Sequence, residues 1–489
     1  MRLRAWLVVV LAACGDNHGS THDASVDSAV DASIDASEEC VTSCDDGDAC
    51  TADACVHGTC HNTPRTTCGE APICGSAACA VTDDDEDGID DVSEARGYVD
   101  SNCNGVDDGP DVDLRLPGAV VGRKTIYLEY DYMAKPGSGT ACTTDADCSA
   151  VEACECPMAA PCAARECQHS HRPRAAALDA IVAAFAAKNI DLVIEPSPTK
   201  LVETDVITYG SLAPTCAGPS ASNFFAIKSA SFDPRKRWIS HYAIFGHYAT
   251  CNSGVNCATC PADPITGVPP SFGVSGTAEI RGNDFIVTMA RAYIDFNLPR
   301  TLANEGGTIM HELGHNLGLL HGGHEPSPEG KANYFSVMNR AFQFTGITSA
   351  ANGMRLDYSG AVLATIDENA LVESTGLDEA SADPLHSDDF AHITNGQGID
   401  VDAPGTGPVD WDGDGSIASA TLTSPVDVNS DGSYTMMVGS NDWARLVLPF
   451  ACEPSGMANG HVPQATVIES PALASWLPSP GSVGTSRGR

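Results

Sequence analysis

Three histidines and one glutamate fall within the stretch "HELGHNLGLLH", residues 311–321, and their spacing dictates a chemistry. His311 and His315 stand four apart, so on a helix both imidazoles leave one face and can grip a single cation. Glu312 is rotated away from that pair, which leaves its carboxylate to hold and deprotonate a water instead of binding metal. His321 lies six residues past His315, on the wrong side of a continuous helix. Gly318 supplies the remedy, because glycine accepts the left-handed conformation that ends a helix and turns the chain back. The pattern predicts three imidazole ligands for Zn2+ with an open fourth position, the mark of a catalytic site, and Glu312 as general base of a hydrolysis. His324 competes for the third place but lacks the glycine-set spacing.

Such a helix needs a rigid support, and the upstream pattern provides one. "KTIYLEYDYM" (124–133) reads as a strand, 172–188 as an amphipathic helix carrying Leu178, Ile181, Val182 and Phe185, and "DLVIE" (191–195) as a buried strand. A helix of this size between two strands implies a right-handed crossover with the strands parallel. Further strands are expected at 238–249, 276–281 and 284–290, the last two joined by a tight turn at Gly282 and Asn283. His241 and His247 fall on one face of the first of these; two ligands alone make a poor metal site, so satisfied sheet histidines are the preferred reading.

The histidine run, followed by "YFSVMNR" at 334–340, resembles the metzincin zinc peptidases over roughly residues 124–358. The resemblance implies that Met338 lies in a tight turn beneath the metal and that the reaction is peptide hydrolysis. It also implies a protein or peptide substrate held extended and antiparallel along an edge strand, here 276–281 by chain order. Where some members of that family carry a metal-reaching tyrosine two residues after the methionine, this chain has Arg340, which argues against a tyrosine ligand, with an approach of Tyr358 from elsewhere as the alternative. No cysteine-switch propeptide is visible.

The remainder of the chain reads as an export and stabilisation apparatus. The N-terminal "MRLRAWLVVVLAACGDN" is a signal peptide (1–13) whose ending resembles the lipobox of bacterial lipoproteins, so Cys14 is the expected lipidation site and the lipid the only membrane attachment. An envelope or surface location follows, with release as the variant. The other 20 of the 21 cysteines form an even set suited to disulfides in an oxidising compartment, Cys154/Cys156 and Cys257/Cys260 included in preference to metal binding. A net charge of −39 repels a phosphate backbone and excludes nucleic acid as a partner.

Residues 14–39 read as a disordered tether, 40–80 as a cysteine-rich module, 81–115 as a calcium-loop spacer, 120–452 as the peptidase domain and 453–489 as a flexible tail. In the spacer Asp83, Asp85, Asp87, Asp91 and Glu94 follow an EF-hand-like register with Gly88 at the sharp turn; Asp100, Asn102, Asn104, Asp108 and Asp111 repeat it. The tandem resembles thrombospondin type 3 calcium repeats. Asp410, Asp412 and Asp414, then Asp427, Asn429 and Asp431, start two more Ca2+ loops whose twelfth positions, Thr421 and Val438, lack a carboxylate, so the loops are expected to complete one another or to be ordinary Asx turns. Asp367 is expected to cap a short helix and 441–450 to be a final strand.

The expected fold class is α+β: a twisted mixed sheet, a backing helix, an active-site helix and a C-terminal subdomain, preceded by a small disulfide-rich and calcium-loop region. The expected function is a zinc endopeptidase acting on extracellular or envelope proteins. Alternatives are a calcium-stabilised adhesion protein on the same scaffold and a zinc hydrolase of non-peptide amides or esters.

Overall fold

The computed structural model describes residues 51–56, 59–64, 83–100, 106–149, 152–157, 164–197, 200–203, 206–208, 221–249, 275–289, 300–323, 328–351, 353–379, 383, 386, 388–448 and 465–468. Cys14, Asn102, Asn104, Cys257, Cys260 and His324 lie outside them, as do the tether and most of the cysteine-rich module. Residues 1–65 form one unit, in which Thr51–Val56 (β1) and Thr59–Pro64 (β2) pair antiparallel with Cys55 opposite Cys60.

The second unit, residues 66–489, is α+β; after the short helix Asp91–Arg96 (α1) it is built on one mixed sheet. Its central strand is Thr125–Lys135 (β3). The sequence places β-branched and aromatic residues there on both faces, and all but the last residue are buried, as expected for a strand covered on two sides. After β3 an insertion forms the hairpin Glu152–Glu155 (β4) and Glu166–Ser170 (β5), stapled by the disulfides Cys142–Cys154 and Cys148–Cys167. Cys156 is also in a disulfide, so neither Cys154 nor Cys156 is a metal thiolate.

The chain then enters helix α2 (Ala175–Ala186) and returns as Asp191–Pro196 (β6), parallel to β3, as the crossover argument predicts. Leu201–Val202 (β7) extends along the same strand. Helix α3 (Phe224–Ser231) leads to Ser240–Phe245 (β8), parallel to β3 on its other side. Gly276–Ile280 (β9) and Asp284–Val287 (β10) form the expected hairpin, with β10 parallel to β8 and β9 antiparallel to β10.

Alternation on the strands sends side chains to two cores. Ile126, Leu128, Tyr130, Ala243, Phe245 and Phe285 meet Ile181 and Phe185 of α2 and Ile309, Met310 and Leu313 of helix α4 (Leu302–Asn316). Tyr242, Ile244 and Ile286 face the other way onto Phe224 near α3. A separate core around Phe335, Phe342, Ile366, Trp411 and Met437 serves the C-terminal part. Among the described residues no helix is long and apolar enough to cross a membrane.

Several local expectations fail for identifiable reasons. The 238–249 strand is broken: β8 ends at Phe245, and Gly246 and His247 follow before a short strand at Tyr248–Ala249. Asp367 caps a turn, accepting from the Asn369 amide at 3.0 Å, and no helix follows. The final strand is replaced by a 3-10 turn at Trp443–Arg445, with Val447 bonded to the Leu317 carbonyl at 3.0 Å, so packing against the end of α4 overrides β propensity. Part of the expected flexible tail, Ala465–Ile468 (β11), is a strand pairing antiparallel with β9. The acidic stretch read as a spacer shares a core with the sheet through Ile89, Leu114, Leu116 and Tyr127.

Two glycines let α4 approach its neighbours. A Cβ at Gly306 would meet Leu356 Cδ1 at 2.5 Å, and one at Gly307 would meet the Gln343 carbonyl oxygen at 2.1 Å. Alanine at 307 gains about 1 kcal/mol in helix propensity, but it collides with a backbone atom that cannot rotate away, and overpacking of this kind costs roughly 1–3 kcal/mol. Gly307→Ala is therefore expected to lower the Tm; a rise in the melting temperature would show that the helix does not approach this closely.

Candidate metal centre

Helix α4 carries the histidine run and is fixed at both ends. Thr301 and Asn304 form a reciprocal capping box at 3.2 and 3.0 Å. At the other end Gly318 adopts φ +91, and the Leu319 amide bonds back to the Gly314 carbonyl at 2.8 Å. That reversal carries His321 to the other two imidazoles. One nitrogen from each of His311, His315 and His321 lies within 4.8 Å of the others, and the ring centroids are 4.8, 5.0 and 5.2 Å apart.

What the far nitrogens do decides whether these rings can bind metal. His311 Nδ1 is 2.7 Å from the Val337 carbonyl oxygen, and His315 Nδ1 is 2.8 Å from that of Leu319. A carbonyl can only accept, so both protons reside on Nδ1 and the Nε2 lone pairs are left for a cation. His321 Nδ1 lies 2.9 Å from Glu329 Oε1, and Arg340 Nε holds the other oxygen of Glu329 at 2.8 Å. Sequence reading missed Glu329 and the role of Arg340. The residue that displaces the expected tyrosine orients the carboxylate behind the third ligand.

Met338 is fully buried in the turn 336–339, where the Asn339 amide bonds to the Ser336 carbonyl at 2.9 Å. Its sulfur packs under α4 so tightly that a Cβ at Gly314 would sit 2.3 Å from Sδ. Asp442 anchors the turn, accepting from the Tyr334 and Ser336 hydroxyls, each at 2.6 Å. Tyr358 does not approach the metal position as expected: it is buried and its hydroxyl donates to the Met310 carbonyl at 2.6 Å. Burial in the apolar core between Phe185 and Trp443 holds it there.

Glu312 is fully buried beside the histidines. The first residue of β9 presses on it, since a Cβ at Gly276 would lie 2.0 Å from Glu312 Oε1, so only glycine fits. His241 takes no part, its Nδ1 being 3.2 Å from Asn316 Oδ1. Asn316 Nδ2 already donates to the carbonyls of Glu279 and Asp284, so His241 is the donor to Oδ1 and a satisfied core histidine. His247 lies beyond the end of β8, beside Glu203.

The acidic loops gather unevenly. Asp83, Asp85 and Asp87 bring carboxylate oxygens within 4.8 Å of one another, with the Gly88 amide on Asp83 at 3.0 Å and Asp91 on the Asp84 amide at 3.0 Å. Both oxygens of Glu94 are buried without a hydrogen-bond donor among the described residues. Desolvation first, then Asp87, Asp85, Asp91 and Asp83, push Glu94 up to about 8, and burial pushes Asp87 up to about 7. Such a set fits a hard cation with oxygen ligands. Asp100, Asp108 and Asp111 join no ligand group among the described residues, and Asp107 is paired with Arg115.

In the first C-terminal loop the carboxylate that gathers beside the aspartates comes from upstream, not from the other loop. Glu373, buried, joins Asp410 and Asp412 within 4.8 Å, while Asp414 turns to the Ser416 amide and hydroxyl at 2.7 Å. Glu368 joins no ligand group with Asp427 or Asp431 among the described residues; its carboxylate accepts from the Val428 amide at 2.8 Å and the Thr435 amide at 2.7 Å. Asn429 donates to the Glu329 carbonyl at 2.8 Å. The signal for these two carboxylates was the pair of glutamates five apart in "IDENALVES", which no loop motif contains.

The sequence matches no protein-family model and no curated protein.

Because the folded chain holds the protons of Glu94 and Asp87 more tightly than the unfolded chain does, cation-free stability falls as pH rises from 4.5 towards about 8. Saturating Ca2+ is expected to abolish this part of the slope, and Glu94→Gln to raise the calcium-free Tm at pH 8 while shrinking the calcium-induced gain. Thermal melts that ignore Ca2+ across that range would remove the cation from this loop.

Proposed function

We propose that this chain is an exported zinc endopeptidase of metzincin type that hydrolyses peptide bonds of extracellular or envelope proteins, anchored by lipid at Cys14 and stabilised by calcium. The observation that carries the reading is the convergence of His311, His315 and His321 within 4.8 Å, each with Nδ1 held by an acceptor. The neutral N/N/N donor set suits Zn2+, and three protein ligands leave room for water and substrate. Bound zinc would supply acidity to a water and polarisation to a scissile carbonyl.

The chain's own groups account for the rest. Glu312 holds and accepts the proton of the attacking water at a carboxylate oxygen, and later returns it to the departing amine. Gly276 keeps that carboxylate pressed between α4 and β9. Glu329 fixes the His321 tautomer, its contact with Nδ1 at 2.9 Å being shorter than that of the Arg340 Nη2 donor at 3.3 Å, while Arg340 Nε holds Glu329 in place. An extended peptide would add to β9 through main-chain hydrogen bonds. That seat is taken: β11 runs antiparallel there, with Ala278 opposite Val467 and Glu279 opposite Thr466. Substrate must therefore displace residues 465–468.

Casein or a quenched peptide should be cut by the purified full chain, and Glu312→Gln should lower kcat by about 10²–10⁴-fold with zinc content unchanged. Equal rates in both, or none in either when zinc-loaded, would favour the adhesion reading. A chain ending at Gln464 should show a lower KM at similar kcat, and added peptide of the 465–468 sequence should restore the higher KM. Unchanged KM would mean that substrate does not use β9.

A further inference from the structure

A second cluster of imidazoles, sharing no residue with the first, converges where four strands end. His169 stands opposite Lys135 in the β3–β5 register, and His171 lies just beyond β5 with its amide on the Met133 carbonyl at 3.0 Å. Glu203 follows β7, its amide on the Ala134 carbonyl at 2.9 Å. His247 follows Gly246, whose amide bonds to Val287 at 3.0 Å and so terminates β8. The side chains meet around Glu203: Oε2 is 2.7 Å from His169 Nδ1 and 3.3 Å from His171 Nε2, and Oε1 is 3.5 Å from His247 Nδ1.

Ligand atoms of His169, His171 and Glu203 lie within 4.8 Å of one another, the same criterion met by the three histidines of α4. Ring centroids are 5.3, 5.3 and 5.9 Å apart, close to the spacing in that centre. The carboxylate is 2 % exposed and the three rings between 12 and 15 %, so the cluster is nearly dry. Lys135 Nζ contacts only Oε1, at 2.6 Å, and so leaves Oε2 directed at the two histidines while fixing the carboxylate from behind.

We propose that His169, His171, Glu203 and His247 form a second transition-metal site, closed and structural, which clamps the disulfide-stapled insertion to the ends of β3 and β8. Imidazole with one carboxylate suits Zn2+ or a similar borderline divalent ion and not Ca2+, which takes oxygen ligands throughout. His169, His171 and Glu203 are the three gathered donors, and His247, 3.5 Å from Glu203 Oε1, is the fourth that would close the shell, so this ion would hold elements together. Lys135 is a positioning residue for Glu203. The proposal stands whether or not the α4 centre is catalytic.

The test uses the full chain in excess Ca2+, so that the carboxylate loops do not take up the probe, with cobalt(II) as that probe. The variant His311→Ala/His315→Ala/His321→Ala should retain one equivalent of Co2+ with the intense visible bands of a tetrahedral site, and its Tm should fall on chelation. Adding His169→Ala and His247→Ala should remove the bands, Glu203→Gln should weaken binding, and Lys135→Ala should weaken it about 10-fold. No cobalt retained by the triple variant, or bands that survive the added substitutions, would overturn the site. Metal content of the wild-type chain adds a second reading: two equivalents of zinc support the proposal, and a single equivalent that the triple histidine variant loses overturns it.

Discussion

Three imidazoles share one cation only if each ring is held from behind, because a free histidine rotates and carries its proton on either nitrogen. Here the holding groups are the carbonyls of Val337 and Leu319 and the carboxylate of Glu329. None is on the helix that carries the first two histidines: they come from the turn beneath it, the reversal after it and the segment beyond. The architecture can be understood as the means of bringing those three acceptors to fixed places. The Met338 turn is there because Val337 must present its carbonyl, and Asp442 is buried because that turn needs anchoring to the C-terminal part.

Close approach is the second constraint, and glycine meets it repeatedly. Gly314 admits the Met338 sulfur, Gly276 admits Glu312, and Gly306 and Gly307 admit the segment around Leu356 and Gln343. Helix α4 is consequently poor in intrinsic propensity and depends on packing for its stability. A helix optimised for its own formation would have no space for the groups that orient its histidines.

This distribution explains what could be read in advance. The spacing His311, His315, Gly318, His321 was legible because it is local, and so were the parallel crossover through α2 and the β9–β10 hairpin. The partners were not, because they depend on contacts between distant segments: nothing near Glu329 marks it as a partner of His321, and Glu373 lies far in sequence from the Asp410 and Asp412 it joins. Tyr358, Asp367 and the 441–450 segment failed for a related reason, since in each the tertiary environment overrode a local preference. His169, His171, Glu203 and His247 were invisible as a set, separated as they are by up to 78 residues yet joined at one sheet end.

One contact joins an acidic loop to the histidine cluster. Asn429 belongs to a carboxylate loop, yet its amide donates to the main chain of Glu329, whose side chain faces His321. Ordering that loop and aligning the third imidazole are thus not separate events. A cation that rigidifies residues 427–432 shares free energy with whatever occupies the histidines, and the sharing runs equally in both directions. Under the function proposed above, a chain in a calcium-poor medium would hold its third ligand less firmly than one in a calcium-rich medium.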